Sequence, residues 1–180
     1  MLKPSNSIPK GNLRYVVGDA TLPIGGSLRY ILQVCNDIGA YGAGFSGALS
    51  RKWPTVESKY RMWWRERQGS LKLGDIQEIM VQSDIRVINM IGQHGVINWN
   101  GKPGTMSEFS TEDGLPPIRY DALEECLSKA GILISQEKGA AHMPRIGCGL
   151  AGGKWENVEP LIVEQLNKRG INVTVYDFDG

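Results

Sequence analysis

Apolar positions along the chain fall into blocks with two different periods. Leu13–Val17 and Arg29–Val34 are short apolar runs with the length of strands. Phe45, Ala48 and Leu49 share one face of a short helix that Pro54 ends. Val56, Tyr60, Trp63 and Arg67 then recur at helical intervals over 55–68, with charged residues between them. Ile76–Val81 and Ile85–Ile91 read as two strands around a turn at Ser83-Asp84, and the second is apolar enough for a central strand. Helical spacing returns at Tyr120, Leu123, Leu127 and Ile134, with Lys138-Gly139 as the stop; alternatively, Ile132–Ser135 is a strand of its own. Ala141–Ile146 reads as a strand. Trp155, Val158, Ile162 and Leu166 mark a last helix, in which Pro160 fits only within the first turn. Ile171–Phe178 closes as a strand with Ile171, Val173 and Val175 inward.

The predicted order is ββααββαβαβ. Strands interleaved with helices imply a three-layer α/β/α sandwich around a mixed, mostly parallel sheet. Residues 1–12, with Pro4, Pro9 and Gly11, read as a flexible arm, and 13–180 as one domain. Residues 92–118 lack a period and read as a long loop, with a hairpin around Asn100-Gly101 and, over 96–116, a candidate lid. No G-x-G-x-x-G follows the first strand with an acid some 20 residues on, so a two-half dinucleotide fold is not expected.

Composition narrows the classes. Of 180 residues, 23 are glycine, well above the usual roughly 7%, without the triplet period of collagen. Apolar residues at 41% and charged residues at 22% suit a folded domain. A net charge of +1 gives no long-range pull on nucleic acid or membrane, although Arg61, Arg65 and Arg67 beside tryptophans sketch a minor nucleic-acid option. No apolar run reaches the roughly 20 residues of a membrane span, and the first 13 residues lack the apolar core of a secretory signal. Cys35, Cys126 and Cys148 make no disulfide framework and point to a reducing, cytoplasmic compartment (nuclear in a eukaryote). With two histidines and no C-x-x-C or H-E-x-x-H, neither a metal nor a cofactor is expected.

The glycines are placed unevenly. Gly39, Gly42, Gly44 and Gly47 lie in one strand-to-helix junction, and Gly147, Gly149, Gly152 and Gly153 in another. Such loops let backbone N–H groups converge on an anion, and the helix N-terminus adds a favourable dipole. Neither junction ends in Gly-Lys-Ser/Thr, so a triphosphate-binding P-loop is not implied. Two such loops at the C-terminal ends of strands in one sheet would grip a diphosphate from both sides.

The residues resemble the macrodomain family, the ADP-ribose-binding module. The resemblance rests on Gly18-Asp19, Val34-Cys35-Asn36, Gly42-Ala43-Gly44, the run Pro144-Arg145-Ile146-Gly147-Cys148-Gly149-Leu150, Trp155-Glu156, and Val173-Thr174-Val175-Tyr176. It spans roughly residues 13–178. The branch it is most similar to holds terminal ADP-ribose protein glycohydrolases, DNA ADP-ribosyl hydrolases and ADP-ribose-1''-phosphate phosphatases. The resemblance implies that Asp19, with Ala20 beside it, reads the adenine amino group and that Asn36 bonds the distal ribose. Gly42, Ala43 and Gly44 pass close to the distal ribose and diphosphate, and Ile146, Gly147, Cys148, Gly149, Leu150, Ala151 and Gly152 form the phosphate loop. Tyr176 and Phe178 would flank the adenine or simply pack in the core.

Departures from the family matter as much. Some relatives carry a lysine just past the strand equivalent to Ile85–Ile91, where this chain has Gln93 and His94. Others carry an aspartate where this chain has Ala151. A covalent lysine route is thus unsupported, which leaves attack by a positioned water, with Asn36 orienting the ribose and His94 as acid or base. The implied function is hydrolysis of a group from the distal ribose, as a phosphatase or a de-ADP-ribosylating hydrolase, with a non-catalytic ADP-ribose reader as the alternative. The expected partner is ADP-ribose or an ADP-ribosylated protein or nucleic acid, met by a monomer away from membranes. His142, Cys35 and Cys126 read as packing residues. Cys148 reads as a small loop residue, near a helix N-terminus that would lower its thiol pKa.

Overall fold

A computed structural model describes residues 9–96 and 113–179. The proposed hairpin around Asn100-Gly101, the core of the proposed lid and most of the N-terminal arm lie outside the described residues. The elements are β1 (Leu13–Val17), β2 (Arg29–Asn36), α1 (Gly44–Lys52), α2 (Pro54–Glu66), β3 (Ile76–Gln82), β4 (Ile85–Gln93), α3 (Tyr120–Gln136), β5 (Ala140–Met143), α4 (Trp155–Gln165) and β6 (Val173–Asp177). A short 3₁₀ turn at Asn167–Arg169 leads into β6.

The six strands form one sheet in the order β1-β6-β5-β2-β4-β3. Every neighbouring pair is parallel except β3 with β4. Residues of β2 alternate between the two faces. Tyr30 and Leu32 join α3 and α4 in the larger core, while Ile31 joins Leu49 of α1 and Val56 of α2 in a second. The result is the expected three-layer α/β/α sandwich.

The helical reading through Ile134 holds, and the alternative strand at Ile132–Ser135 does not form, because Leu127, Ala130 and Ile134 keep one buried face of α3. Two local expectations are corrected. The strand expected at Ala141–Ile146 stops at Met143; Pro144 follows, and Ile146 N–H bonds back to the Pro144 carbonyl in a tight turn. Pro160 sits in the second turn of α4. Pro160 and Glu156 both face outward, so the carbonyl that loses its partner is on the solvent side of the helix. In addition, β6 is buried along almost its whole length instead of alternating, since it is an interior strand covered on both faces.

The order of connections creates a crevice. From β2 the chain passes through α1 and α2 towards β4, and from β5 through α4 towards β6 on the opposite side. The two routes leave the sheet over opposite faces between the neighbours β5 and β2. That reversal is where open α/β sheets bind ligands, at the C-terminal ends of the strands.

Candidate functional site

Because β1, β6, β5, β2 and β4 run in the same direction, their C-terminal ends line one edge of the sheet. Along this edge lie Asp19 after β1, Phe178 after β6, the 145–153 loop after β5, the 37–43 loop after β2 and His94 after β4. Tertiary structure thus collects residues scattered from 19 to 178 onto one rim.

The first glycine loop is built on Asn36. Its side-chain Oδ1 accepts from Ile38 N–H (3.1 Å) and Ala40 N–H (3.0 Å), and its Nδ2 donates to the Ala40 carbonyl (2.6 Å). The Tyr60 hydroxyl lies 2.6 Å from the Asn36 carbonyl and 2.9 Å from Oδ1. Asn36 is buried, and its amide is committed to shaping the loop. This narrows the expected ribose contact, since at most one Nδ2 proton is left to donate. Beneath the loop a buried amide chain crosses three strands. Gln77 accepts from Asn89 (3.1 Å), Asn89 accepts from Gln33 (2.6 Å), and Gln33 binds both Tyr41 Oη (3.1 Å) and Ser46 Oγ (2.9 Å). The chain gives these buried polar groups partners and fixes both ends of the glycine loop. No motif in the sequence signals it.

The loop then enters α1. Ala43 is its N-cap and offers no side-chain bond. Gly42 and Gly44 have φ of +113° and +56°, a conformation that favours glycine, and a Cβ at either would meet no atom within 4 Å. The first N–H groups of α1, at Gly44, Phe45 and Ser46, receive no side-chain cap from Ala43.

The second loop is tied to itself. Gly153 N–H bonds to the Gly147 carbonyl (2.7 Å), Gly152 N–H to Gly149 (3.0 Å) and Cys148 N–H to Arg145 (3.3 Å). Ile146 and Ala151 are buried, so only their backbones can serve a ligand. The N–H groups of Gly149, Leu150 and Ala151 have no acceptor among the described residues. Burial raises the Cys148 thiol, partly offset by Arg145. This overturns the expected lowering, because burial outweighs the charge of Arg145 and α4 begins only at Trp155.

At the far end of the rim, Asp19 Oδ1 accepts from both the N–H and the hydroxyl of Thr21, each at 2.8 Å. Its second oxygen carries no hydrogen bond among the described residues. Ala20 is buried behind it. Tyr176 is also buried, its hydroxyl accepting from Ile24 N–H (3.0 Å) and lying 2.7 Å from His142 Nδ1. Tyr176 thus braces the Asp19 turn from behind and offers no open ring face, whereas Phe178 is 74% exposed. Burial, helped by Arg29 and Arg14, pushes His142 down to about 4.

At the other end, His94 Nδ1 lies 2.8 Å from Asp37 Oδ2, and Gly95 N–H donates to Asp37 Oδ1 (2.8 Å). Asn36 pairs with Gln93 across a bulge, which brings Asn36, Asp37 and His94 together. Sequence reasoning singled out Asn36 and His94 and missed Asp37, although it directly follows Asn36. Arg145 forms a two-pronged pair with Asp177 (2.6 and 3.1 Å), and its guanidinium carbon lies 5.0 and 5.2 Å from the ring centres of Tyr15 and Trp155, which meet each other edge-on. It ties the base of the second loop to the end of β6.

A hollow of about 470 Å³ opens behind the second loop between Pro116, Tyr120 and Lys154, and one of about 430 Å³ lies at the opposite end of the sheet beside Ser27 and Gly170. Neither touches Asp19, Asn36 or His94. Among the described residues no three of His, Cys, Asp and Glu are grouped as metal ligands, and no helix is long and apolar enough to cross a membrane.

Comparison with known proteins fits this arrangement. A macrodomain protein from Streptomyces coelicolor is 40% identical, over 94% of this chain and 100% of that one, with a TM-score of 0.76. The chain belongs to the macrodomain family. This macrodomain is also 45% identical to a protein of unknown function from Bacteroides thetaiotaomicron, over 93% of this chain and 98% of that one, with a TM-score of 0.83. A curated relative, an ADP-ribose 1''-phosphate phosphatase from Lodderomyces elongisporus, is 23% identical over 92% of this chain and 99% of its own length. No family model matches the macrodomain.

Proposed function

We propose that residues 13–180 form a macrodomain that binds ADP-ribose along this rim and hydrolyses a group from its distal ribose. The observation that carries the reading is the pair of uncapped N–H sets, at 44–46 and 149–151, on the two sides of the strand-order reversal between β5 and β2. N–H groups at a helix N-terminus and in a glycine loop suit an anion, and two such sets at the same edge of the sheet suit a diphosphate. The phosphatase relative supports the same ligand class.

In this reading Asp19 Oδ2 accepts from the adenine amino group, and the exposed ring of Phe178 stands beside it. Diphosphate binding holds the distal ribose towards Asn36, Asp37 and His94, so that remote binding energy positions the reacting end. Water attacks and His94 moves the proton. No covalent lysine intermediate is invoked, because the end of β4 and the position after it hold Gln93 and His94.

Calorimetry with ADP-ribose and product analysis with ADP-ribose-1''-phosphate and ADP-ribosylated protein or nucleic acid test the proposal. One-to-one ADP-ribose binding and release of phosphate or ADP-ribose are expected. Binding without turnover of any of these substrates selects the second reading, a non-catalytic reader, which Ala151 and the committed amide of Asn36 favour. Absence of binding overturns both.

A further inference from the structure

We infer that the exposed basic face of α2, with the turn that follows it, is a docking surface for the phosphate backbone of a nucleic acid. The surface stands without the ADP-ribose reading; only its place beside the distal ribose rests on that reading.

The net charge of +1 hides a segregation. Residues 51–72 hold seven Lys and Arg against two Glu, a net +5, while the rest of the chain, with 13 basic and 17 acidic residues, stands at −4. Salt screens charges beyond about 10 Å at 0.1 M, so a partner at this surface meets the local charge and not the overall one. Little of that charge is neutralised. Arg61 pairs with Glu57 (2.9 Å) and Lys52 donates to the Thr21 carbonyl (2.5 Å). Arg51, Lys59, Arg65, Arg67 and Lys72 are exposed, and none forms an ion pair among the described residues.

The basic segment is joined to the rim. The Tyr60 hydroxyl lies 2.6 Å from the Asn36 carbonyl, and Arg61 Nη1 donates to the Gly39 carbonyl (3.2 Å). The Trp64 indole lies against Gly39, and Leu71 N–H donates to the Asp37 carbonyl (3.0 Å). Residues 60–72 therefore wrap the 36–40 loop. Arg65 stands one turn, about 6 Å, beyond Arg61, and Lys72 directly follows the residue bonded to Asp37. The nearby acids are Asp37, which lies 2.8 Å from His94, Glu57, which Arg61 neutralises, and Glu66.

Arg65 and Arg67 carry planar guanidinium forks, which meet phosphate oxygens with paired bonds. Contacts of this kind hold a nucleic acid by its backbone and are indifferent to sequence. An acidic protein segment offers single carboxylates instead, and it is the alternative that the test separates.

The test uses the full chain and an unmodified, fluorescein-labelled single-stranded DNA of about 20 nucleotides, read by anisotropy between about 50 and 200 mM salt. Three phosphate contacts, at Arg65, Arg67 and Lys72, predict a slope of log K against log salt of about −2. Arg65→Glu with Arg67→Glu is expected to weaken binding at least ten-fold and to flatten the slope to about −0.7. Lys10→Glu with Lys138→Glu, which makes the same change in net charge outside the basic segment, is expected to stay within about three-fold of wild type. No DNA binding by the wild type, an equal loss in both double variants, or equally tight binding of poly-glutamate overturns the inference. If the Arg65 and Arg67 variant fails to fold, cross-linking of the wild type to the DNA decides: adducts within 51–72 uphold the surface, and adducts confined elsewhere overturn it. Calorimetry with free ADP-ribose is expected to be unchanged in both double variants, and its failure in wild type overturns the ADP-ribose reading while leaving the DNA result to stand or fall by itself.

Discussion

Gly39 lies against the indole of Trp64 so closely that a Cβ at residue 39 would fall 2.4 Å from the ring. Gly39 also has φ of +79°, which other residues adopt only under strain. The contact gives a role to Trp64, which lies off the helical repeat of Val56, Tyr60 and Trp63: its indole is the floor on which the first glycine loop turns. Gly39→Ala is expected to cost at least about 2 kcal/mol by urea unfolding and to weaken ADP-ribose binding. Wild-type stability in this variant would disprove the contact. Pairing it with Trp64→Ala relieves the clash but not the backbone strain, so recovery should be partial.

Glycines 149 and 153 separate fold from ligand. A Cβ at Gly153 would lie 2.4 Å from the Gly147 carbonyl, whereas one at Gly149 would meet no atom within 4 Å. Gly153→Ala is expected to lower the Tm by several degrees. Gly149→Ala should leave unfolding within about 0.5 kcal/mol of wild type while reducing ADP-ribose affinity at least ten-fold in calorimetry. Unimpaired binding by Gly149→Ala would remove the 149–151 loop from the proposed diphosphate site.

Arg145 is expected to act through shape as well as charge. Its planar guanidinium meets Asp177 with two nitrogens while lying beside the rings of Tyr15 and Trp155, a two-pronged geometry that an ammonium does not reproduce. The same pairing holds the Asp177 carboxyl below its ordinary range. Arg145→Lys should therefore loosen the second loop despite keeping the charge. Faster amide hydrogen exchange across 146–152 and weaker ADP-ribose binding are the readouts, and wild-type values for both would count against the clamp.

The amide chain beneath the first loop can be cut. Asn89→Leu removes the acceptor of Gln33 and the donor to Gln77. Gln33 keeps Tyr41 and Ser46 but loses one buried bond, which should cost about 1 kcal/mol in denaturant unfolding. A neutral effect would mean the chain contributes nothing net.

His142 sets an acid limit on stability. Its folded value of about 4 lies below the usual 6.5, so the unfolded chain binds the proton first. The stability gained by keeping it neutral is complete above about pH 6.5 and is lost as pH falls towards 4, on the order of 3 kcal/mol in full. Urea unfolding at several pH values should show this slope in wild type and a flatter one in His142→Gln. Equal slopes would refute the assignment.

Much of this was legible locally. The bounds of β1 were readable from its apolar run, as were the start of α3 at Tyr120 and the break at Pro54, because a period of two or 3.6 is written within a few residues. Glycine placement marked both loops for the same reason, since a positive φ or a close approach is a demand on one residue. Pro160 was misplaced because the penalty for a helical proline depends on whether the lost bond faces solvent, which a pattern does not contain. Tyr176 was ambiguous because its fate depends on His142 and Ile24, each on another element.

The sequence by itself determined the succession of elements, the two glycine junctions and a set of candidate polar residues, all from short-range stereochemistry and periodicity. Only the tertiary structure decided the strand order and, through it, which residues share the rim. Asp37 became a partner for His94, and the amide of Asn36 went to its own loop. The reason is physical: a hydrogen bond between residues 57 positions apart is specified by the register of two parallel strands, and no local pattern encodes that register.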